Sequence, residues 1–455
     1  MREKIPAPVL ALLRRLHRAG FEAYPVGGCV RDIWRGVPPH DWDIAVSALP
    51  QQVEALFADC RVIETGLRHG TVTVLAAGKY PVEITSFRGE SGYTDGRRPD
   101  SVQFGVSLQQ DLARRDFTIG AVAWDVQNDC LIDPYGGQRD WQARLLRAVG
   151  NPERRFAEDG LRILRGLRFA ATLGLTVEPA TAAALRHCAP MLRRIAPERV
   201  REELEKLLCG EYAAPVLREY IGTVGVVLPE LLPMVGFAQC NPHHNRDVWE
   251  HTLAVLQNVP AERTLRWAAL LHDVAKPQCC TVDEKGIRHF YGHQAAGAGV
   301  AEKLLRRLRC ETRLVDDVTE LIRIHDIRFE ATEAMAVRWA GRWGERRFLQ
   351  FLALRRADTL GQAAPEQAQP YYEAMIAHLA AAREKHACFT LRELAVNGED
   401  LLALGCRGKA VGQTLEALLH AVQEGRLPNQ KAALLASLRA KAAAAGESDG
   451  FCKPL

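Results

Sequence analysis

The sequence has 455 residues, of which 47% are hydrophobic and 25% are charged. This length and composition predict a globular protein of roughly two to four domains, each with an ordinary hydrophobic core. The formal net charge is only +4, so the overall charge does not indicate a nucleic-acid binder, and any RNA-binding surface must be local.

The twelve cysteines are scattered through the chain and include no Cys-x-x-Cys pair. The sequence also has no recognisable signal peptide and no apolar run of membrane-spanning length. These features predict a cytoplasmic protein whose thiols are reduced and mostly buried.

An anion-binding turn is predicted near the start of the chain. An amphipathic helix over residues 5–18 leads into a short apolar strand, residues 21–26, which runs into Gly27 and Gly28. A further helix is predicted directly after these glycines. The glycines let backbone amides approach a bound anion closely, and the helix adds the positive end of its dipole. The pattern therefore predicts a phosphate site.

Two carboxylates follow on the next predicted strand. Because side chains alternate along a strand, Asp41 and Asp43 share one face and Trp42 lies on the other. Two carboxylates this close require a cation, and Mg²⁺ is commonly held by one or two carboxylates together with substrate phosphates. The stretch predicts a triphosphate site with a magnesium ion, although either motif alone is more often a simple turn or a solvated strand edge.

In this order, the segments GGCVRD and HDWDIAVS resemble the signature of the nucleotidyltransferase superfamily. They resemble more closely the family of tRNA nucleotidyltransferases (CCA-adding enzymes) and bacterial poly(A) polymerases. The resemblance implies an α+β fold, with a small mixed β-sheet head followed by an all-helical neck, body and tail. The implied domains are the head over residues 1–145, the neck over 146–210, the body over 211–345 and the tail over 346–455.

The resemblance assigns further residues of the head. Residues 70–87 are predicted as two alternating strands around an Ala-Gly-Lys turn, with Glu83 on the face opposite its apolar neighbours. Glu83 is implied as a third acidic group beside Asp41 and Asp43 in a site for two Mg²⁺ ions, and an exposed strand glutamate is the equally weighted alternative. Gly28 and Arg31 are implied to bind the nucleotide.

The segment over residues 88–100 has three glycines, charges of both signs and almost nothing to bury, which predicts a mobile loop. Its position beside a catalytic strand suggests a lid. The loop resembles the flexible loop of CCA-adding enzymes more than the corresponding segment of poly(A) polymerases. This likeness favours the addition of CCA or of a terminal A.

Arg114, Arg115 and Asp116 precede the next strand-like run. Guanidinium groups supply forked donors for triphosphate oxygens, and a carboxylate can accept a hydrogen bond from a ribose hydroxyl. A salt-bridged helix end is the alternative interpretation of these residues alone. The segment RRDFT resembles the ribose-recognition motif of the family, which implies that Arg114 and Asp116 bind the nucleotide.

A predicted helix over residues 156–174 buries its leucines on one side and carries Asp159, Arg162 and Arg165 on the other. Asp159 and Arg162 are three residues apart and are therefore neighbours on a helix surface. An acceptor beside a forked donor can hydrogen-bond the pairing edge of a nucleobase, although a helical ion-pair face is the alternative. In the family that the sequence resembles, this segment is the amino-acid template that selects CTP and then ATP.

A second constellation of histidines and aspartates lies downstream in apolar helical segments, where a polar group needs a partner. Imidazole nitrogen together with carboxylate oxygen suits a divalent transition metal. The order of these residues resembles the HD phosphohydrolase domain, which implies His251, His272, Asp273 and Asp326 as ligands. His293 is implied as an outer catalytic group, and His325 as a residue that caps or packs. A degenerate structural domain is the alternative.

The remaining chain is predicted to be helical, and its C-terminal segment resembles the part of the family that touches the outer body of tRNA. Residues 443–455 are predicted to be disordered. The sequence thus predicts an enzyme that adds CCA to the 3′ end of tRNA from CTP and ATP, with an additional HD phosphohydrolase activity. A poly(A) polymerase or A-adding enzyme is the alternative, and an HD phosphohydrolase with an RNA-binding head is the alternative from another class. The sequence does not predict the oligomeric state.

Overall fold

The computed structural model of the chain describes residues 2–66, 70–91, 101–242, 245–362, 366 and 368–444. The chain forms two compact units, Met1–Leu232 with Arg307–Arg309 and Pro233–Arg306 with Cys310–Leu455. Among the described residues, no helix is long and apolar enough to cross a membrane. The division into four domains is finer than these two units and stays a prediction.

A five-stranded sheet forms the centre of the head in the first unit. Its order is β1-β2-β5-β4-β3, in which β2 and β5 are parallel and the other neighbours are antiparallel. The strands are β1 (Ala23–Pro25), β2 (Trp42–Val46), β3 (Val62–Gly66), β4 (Thr71–Ala76) and β5 (Tyr80–Ser86). The sheet is small and mixed, and the α+β prediction is confirmed.

Helices cover one face of this sheet because their apolar residues recur at helical spacing. Helix α1 (Ala7–Arg18) buries four apolar residues, including Leu13 and Leu16, in one core with the sheet residues Trp42 and Ile44. Helix α2 (Gly28–Trp34) follows the glycine turn, and α3 (Pro50–Leu56) packs against β4 and β5. On the opposite face, Ala45 of β2 belongs to a smaller buried cluster with Leu108 and Leu112, and Asp43 is only half-buried beside it.

Short strand pairs extend the head. They are β6 (Arg88–Ser91) with β7 (Ser101–Phe104), β8 (Ala123–Asp125) with β9 (Cys130–Ile132), and β10 (Leu145–Leu146) with β11 (Thr176–Val177). The prediction of a mobile loop is wrong for residues 88–91, because they form strand β6 and pair with β7. Residues 92–100 of that loop, the predicted lid, lie outside the described residues.

The rest of the first unit is helical. Its helices are α4 (Leu108–Ala113), α5 (Gly137–Gln142), α6 (Pro152–Glu158), α7 (Leu161–Leu173), α8 (Pro179–His187), α9 (Pro197–Leu208) and α10 (Ala213–Val224). The continuous helix predicted over residues 156–174 is wrong at one point. Asp159 has an extended backbone, with φ −145° and ψ 107°, so α6 ends before it and α7 begins after Gly160.

The second unit is almost entirely helical, as predicted for the body and tail. Its helices are α11 (Val248–Asn258), α12 (Arg263–Leu271), α13 (His293–Arg307), α14 (Thr312–Ile324), α15 (Glu333–Trp343), α16 (Glu345–Leu360), α17 (Ala368–Glu384), α18 (Gly398–Ala403), α19 (Lys409–Gln423) and α20 (Lys431–Ala444). Helix α16 packs against α11, α12, α14 and α17. One small strand pair, β12 (Thr281–Val282) with β13 (Arg288–His289), lies between α12 and α13 in the chain.

The prediction that the thiols are mostly buried is wrong for the described cysteines. Ten cysteines in the described part of the chain are free thiols, of which three are buried, namely Cys29, Cys188 and Cys388. Residues 445–455, which include most of the segment predicted to be disordered, lie outside the described residues.

Candidate active site

A cavity of about 770 Å³ opens in the first unit between the head sheet and the helices that follow it. Its lining is strongly cationic, because eight arginines line it together with three aspartates. The arginines are Arg31, Arg88, Arg114, Arg115, Arg162, Arg165, Arg168 and Arg199, and the aspartates are Asp43, Asp116 and Asp159. Such a lining suits a polyanion, since forked guanidinium donors match phosphate oxygens.

The structure brings the seven residues predicted to bind nucleotide together in this cavity. They are Gly28, Arg31, Arg114, Asp116, Asp159, Arg162 and Arg165. They come from segments that span more than 130 positions of the chain, so their convergence is a property of the fold. Asp43 lines the same cavity, whereas Asp41 and Glu83 are not among the lining residues.

The glycine turn permits a close approach between backbone and side chain. Gly27 has φ 66° and ψ −116°, a conformation that side-chain-bearing residues rarely adopt. A Cβ atom at Gly27 would lie 2.7 Å from a guanidinium nitrogen of Arg115. Gly28 does not have a positive φ, and a Cβ atom there would only reach ordinary contact distance, 3.6 Å, from a nitrogen of Arg31. Glycine at position 27 therefore lets Arg115 lie against the turn.

The strand register pairs two of the three predicted acidic groups. Strands β2 and β5 place Asp43 directly opposite Glu83, on the face that is not covered by the core. Burial raises the pKa of Asp43 to about 6, and the neighbouring charge of Glu83 contributes to this rise. Asp41 precedes β2, its side chain is 75% exposed, and its Oδ1 lies 2.8 Å from Nδ1 of His40.

These carboxylates fit a divalent cation. Asp43 is held partly out of water beside a second carboxylate, and a positive ion between them would favour the charged form of both. Oxygen ligands of this kind are the ones that Mg²⁺ prefers. The facing pair of Asp43 and Glu83 on β2 and β5 is thus the geometry that a divalent cation would stabilise.

A buried aspartate that the sequence analysis missed holds two arginines of the cavity. Asp111 is only 1% exposed, and its Oδ1 accepts hydrogen bonds from Nε and Nη2 of Arg114 at 3.0 and 2.8 Å. Its other oxygen lies 3.5 Å from Arg115. The helical spacing of three and four residues between Asp111 and these arginines was the available signal.

Asp116 and Arg165 form a close pair across the cavity wall. Nε of Arg165 donates a hydrogen bond of 2.6 Å to Oδ2 of Asp116. Burial alone would raise the pKa of Asp116, but the charge and hydrogen bond of Arg165, with a contribution from Arg162, lower it below its ordinary value. Asp116 is therefore ionised and acts only as a hydrogen-bond acceptor.

The two residues predicted to read the base are each held by another residue. Oδ2 of Asp159 accepts a hydrogen bond of 3.1 Å from Arg199 on α9. Nη1 of Arg162 donates to Oε2 of Glu158 at 2.7 Å, and Nη2 donates to the carbonyl of Arg114 at 3.1 Å. Asp159 and Arg162 thus line the same cavity, but each side chain is hydrogen-bonded to a different neighbour.

A second site lies in the second unit, where buried histidines surround Asp273. Ligand atoms of His251, His272 and Asp273 lie within 4.8 Å of one another, and so do those of Asp273, His293 and His325. Oδ2 of Asp273 faces His272 at 3.2 Å, and its Oδ1 faces His293 at 3.4 Å. The two groups therefore share one carboxylate.

Asp358 joins this cluster, whereas the predicted ligand Asp326 lies outside it. Oδ1 of Asp358, on α16, lies 3.0 Å from Nε2 of His251. Asp326 is more exposed and accepts hydrogen bonds from Arg355 and Gln294, each at 3.3 Å. Asp358 was missed because it is far from the HD motif in sequence. An aspartate within an apolar helical stretch was the only available signal.

The cluster has the properties of a metal site. The carboxylate of Asp273 is buried among cationic and imidazole groups, since its Oδ2 lies 2.7 Å from the Lys276 ammonium and 3.2 Å from Nε2 of His272. Nε2 atoms of His251 and His272 face each other at 3.3 Å. Burial lowers the pKa of His325 to about 4, so its imidazole is neutral, which is the form that binds metal.

Comparison with known proteins places the chain in a family. Residues 23–147 match the family described as the poly A polymerase head domain, residues 174–233 match a probable RNA and SrmB-binding site of polymerase A, and residues 295–438 match a putative tRNA nucleotidyltransferase domain 2. The matched domains are those of a nucleotidyltransferase, a class of enzyme that uses a divalent metal.

Relatives with matches along most of the chain are CCA-adding enzymes. One from Limosilactobacillus fermentum is 35% identical over 438 residues, which cover 95% of this chain and 97% of that protein. One from Lactiplantibacillus plantarum is 37% identical over 441 residues, which cover 93% of each. The crystal structure of the Bacillus stearothermophilus CCA-adding enzyme in complex with CTP matches with a TM-score of 0.74 and 31% identity, covering 97% of this chain and 99% of that chain. The chain belongs to the family of CCA-adding enzymes.

Proposed function

We propose that the chain adds C, C and A in turn to the 3′ end of tRNA, using CTP and ATP. The observation that carries this proposal is the convergence of all seven predicted nucleotide-binding residues on one arginine-rich cavity beside Asp43. The relatives named above are CCA-adding enzymes, and the similar crystal structure holds CTP. The proposal includes a cytoplasmic location, where a tRNA substrate would be met.

Asp43, Glu83 and Asp41 would hold Mg²⁺, with Asp43 and Glu83 as the facing pair. A divalent ion held by these carboxylates would supply charge stabilisation for the attacking 3′ hydroxyl of the RNA and for the pyrophosphate leaving group. Arg31 and Arg115 bind the triphosphate oxygens, since both line the cavity beside the glycine turn. Catalysis then depends on positioning and charge stabilisation, without a covalent intermediate.

The remaining cavity residues bind the nucleoside. Asp116, kept ionised by Arg165, accepts a hydrogen bond from a ribose hydroxyl. Asp159 and Arg162 present an acceptor and a fork of donors to the pairing edge of cytosine or adenine. Binding a base in this way requires Arg162 to exchange part of its bonding to Glu158 for the base.

The test is incubation of the purified chain with tRNA transcripts that end at the discriminator base, at C or at CC, each with one labelled nucleotide. The proposal predicts C, then C, then A on the respective transcripts. Addition of A alone to the CC transcript would identify an A-adding enzyme, and unlimited addition of A to every transcript would identify a poly(A) polymerase. Either result would overturn the proposal.

A second function is favoured by the cluster around Asp273. We propose that it binds divalent metal and hydrolyses phosphate esters. The ligands are His251, His272 and Asp273, with Asp358 closer to them than the Asp326 expected from the HD resemblance. The two histidine groups that share Asp273 have enough donor atoms for two ions. His293 and His325 would serve the second ion.

This second function is tested with the double variant His272→Ala, Asp273→Ala. Because the two residues belong to the second unit, the variant should still add CCA but should lose hydrolysis of a 2′,3′-cyclic phosphate. Wild-type protein that hydrolyses no phosphate ester with Mg²⁺, Mn²⁺, Ni²⁺ or Co²⁺ would show that the cluster has only a structural role.

A further inference from the structure

An exposed aromatic side chain stands at the cavity that contains the metal cluster. This cavity, of about 490 Å³, lies within the second unit and is lined by Asp273, His293 and Asp358 on one side and by Tyr291 on another. Tyr291 is 77% exposed, the largest exposure of any large hydrophobic residue among those described. Covering one face of an exposed aromatic ring with a flat partner is favourable in free energy, because it removes apolar surface from water.

The ring is held in one orientation. Tyr291 stacks on His289, with ring centroids 5.4 Å apart and an interplanar angle of 6°. His289 is held in turn, because its Nε2 lies 3.0 Å from Oδ2 of Asp283. Asp283 also accepts backbone hydrogen bonds from its own turn, from Lys285 and Ile287 at 2.9 Å each. The imidazole thus lies parallel to the tyrosine ring in an offset contact, and most of the ring surface remains open to a flat partner.

Cationic groups lie in the same cavity. Lys276 is 6% exposed, and its ammonium is fixed by Asp273 at 2.7 Å and by Gln239 at 2.8 Å. Arg288 and Arg328 also line the cavity. These groups and the proposed metal ions suit a phosphate at the cluster, whereas the tyrosine suits a flat, apolar-faced group. A ligand that has both features is a nucleotide.

We propose that Tyr291, supported by His289, is a nucleobase-stacking subsite of the second site, so that its substrate is a phosphate ester that carries a base. The inference rests on the hydrolase function proposed above. The base comes either from a free nucleotide or from the end of an RNA chain, which present the same stacking surface. Stacking of one base on an aromatic side chain changes affinity by about 5- to 150-fold when the side chain is replaced by alanine.

Photocrosslinking tests the subsite independently of catalysis. The full chain is irradiated with 8-azido-AMP in the presence of Mn²⁺ and excess CTP, which occupies the cavity of the first unit, and the labelled peptide is identified by mass spectrometry. We expect label in the peptide that contains His289 and Tyr291, and loss of that label in Tyr291→Ala. Absence of label from this peptide in the wild type overturns the inference.

Kinetics give the second readout. The ratio of kcat/KM for 3′-AMP to that for glycerol 2-phosphate, which has no base, should fall about 5- to 150-fold in Tyr291→Ala and be kept in Tyr291→Phe. Tyr80→Ala, at another exposed tyrosine (47%) in the first unit, is the matched control and should keep the ratio. A 3′-phosphorylated dinucleotide assayed in parallel distinguishes an RNA end from a free nucleotide, since the better substrate identifies the source.

The two failures are distinguishable. Wild-type protein that hydrolyses both esters with a ratio unaffected by Tyr291→Ala refutes the stacking subsite and leaves the hydrolase function standing. Wild-type protein that hydrolyses neither ester refutes the hydrolase function. In that case the crosslinking result alone decides whether a base binds at Tyr291.

Discussion

Replacement of Arg162 by alanine should relax base selection while leaving nucleotide transfer intact. Arg162 lines the nucleotide cavity, its side chain is 11% exposed, and it donates to Glu158 and to the carbonyls of Arg155 and Arg114. It makes no contact with the carboxylate pair of β2 and β5 in the described structure. We therefore expect the loss to appear in selectivity rather than in the chemical step.

The magnitude follows from the bonds that a forked donor makes to a base. A bidentate contact to a base edge contributes about 1–3 kcal/mol of discrimination, which is about a 5- to 150-fold change in selectivity. UTP and GTP should then compete measurably with CTP.

The assay is a four-nucleotide competition on a tRNA transcript that ends at the discriminator base. Arg154→Ala is the matched control, because Arg154 lies 3.7 Å from the same Glu158 but is 84% exposed and does not line the cavity. Arg162→Lys keeps the charge without the fork and should lie between wild type and alanine. An Arg162→Ala enzyme with full selectivity for CTP would show that this helix face is only an ion-pair surface.

Three further predictions follow from the two sites. Asp43→Asn should abolish nucleotide addition, because it removes a proposed metal ligand, and addition at the wild-type rate would refute this role. The same change should not lower the thermal stability of the protein in EDTA, because it removes a partly buried carboxylate that faces another. Gly27→Ala should lower the free energy of unfolding in urea by about 1–3 kcal/mol and raise the KM for CTP, because of its backbone strain and a clash with a guanidinium. Gly28→Ala, the control without positive φ, should cost less, and equal losses would contradict this explanation. Asp358→Asn should reduce the metal bound per chain, measured by elemental mass spectrometry, whereas Asp326→Asn should not, and the reverse result would restore the ligand set expected from sequence.

Much of the head could be predicted from sequence because its signals are local. The alternation around Glu83 and the glycine turn before α2 depend on neighbours within a few residues, and the structure has strands and a turn at these places. The break at Asp159 could not be predicted in this way. Phe156 in α6 and the buried leucines of α7, such as Leu164 and Leu167, have the spacing of one helix face, so the pattern of buried residues looks continuous although the backbone is extended at Asp159.

The partners of the chemical groups are what sequence reasoning could not supply. Arg199 meets Asp159 from a helix 40 positions downstream, and Asp358 meets His251 across 107 positions. Neither contact could be predicted from the spacing of the residues along the chain, because each contact depends on how the helices pack. Asp326 illustrates the converse, because its place beside His325 in the motif made it the expected ligand while its side chain bonds Arg355 instead.

The two sites differ in how completely the sequence pattern identifies their functional residues. In the first unit Asp43 and the seven residues predicted to bind nucleotide line one cavity, so single substitutions of these residues test the predicted chemistry directly. In the second unit the pattern predicts His251, His272 and Asp273, but the packing of α16 adds Asp358. A substitution of Asp326, chosen from the motif alone, would alter a residue outside the cluster.

The buried carboxylate of Asp273, which faces histidines through both of its oxygens, is the group on which both halves of the cluster depend. Its replacement by asparagine, which keeps the volume and removes the charge, should therefore lower metal binding more than the loss of any one histidine. Equal losses for Asp273→Asn and His293→Ala would show that the two halves bind independently.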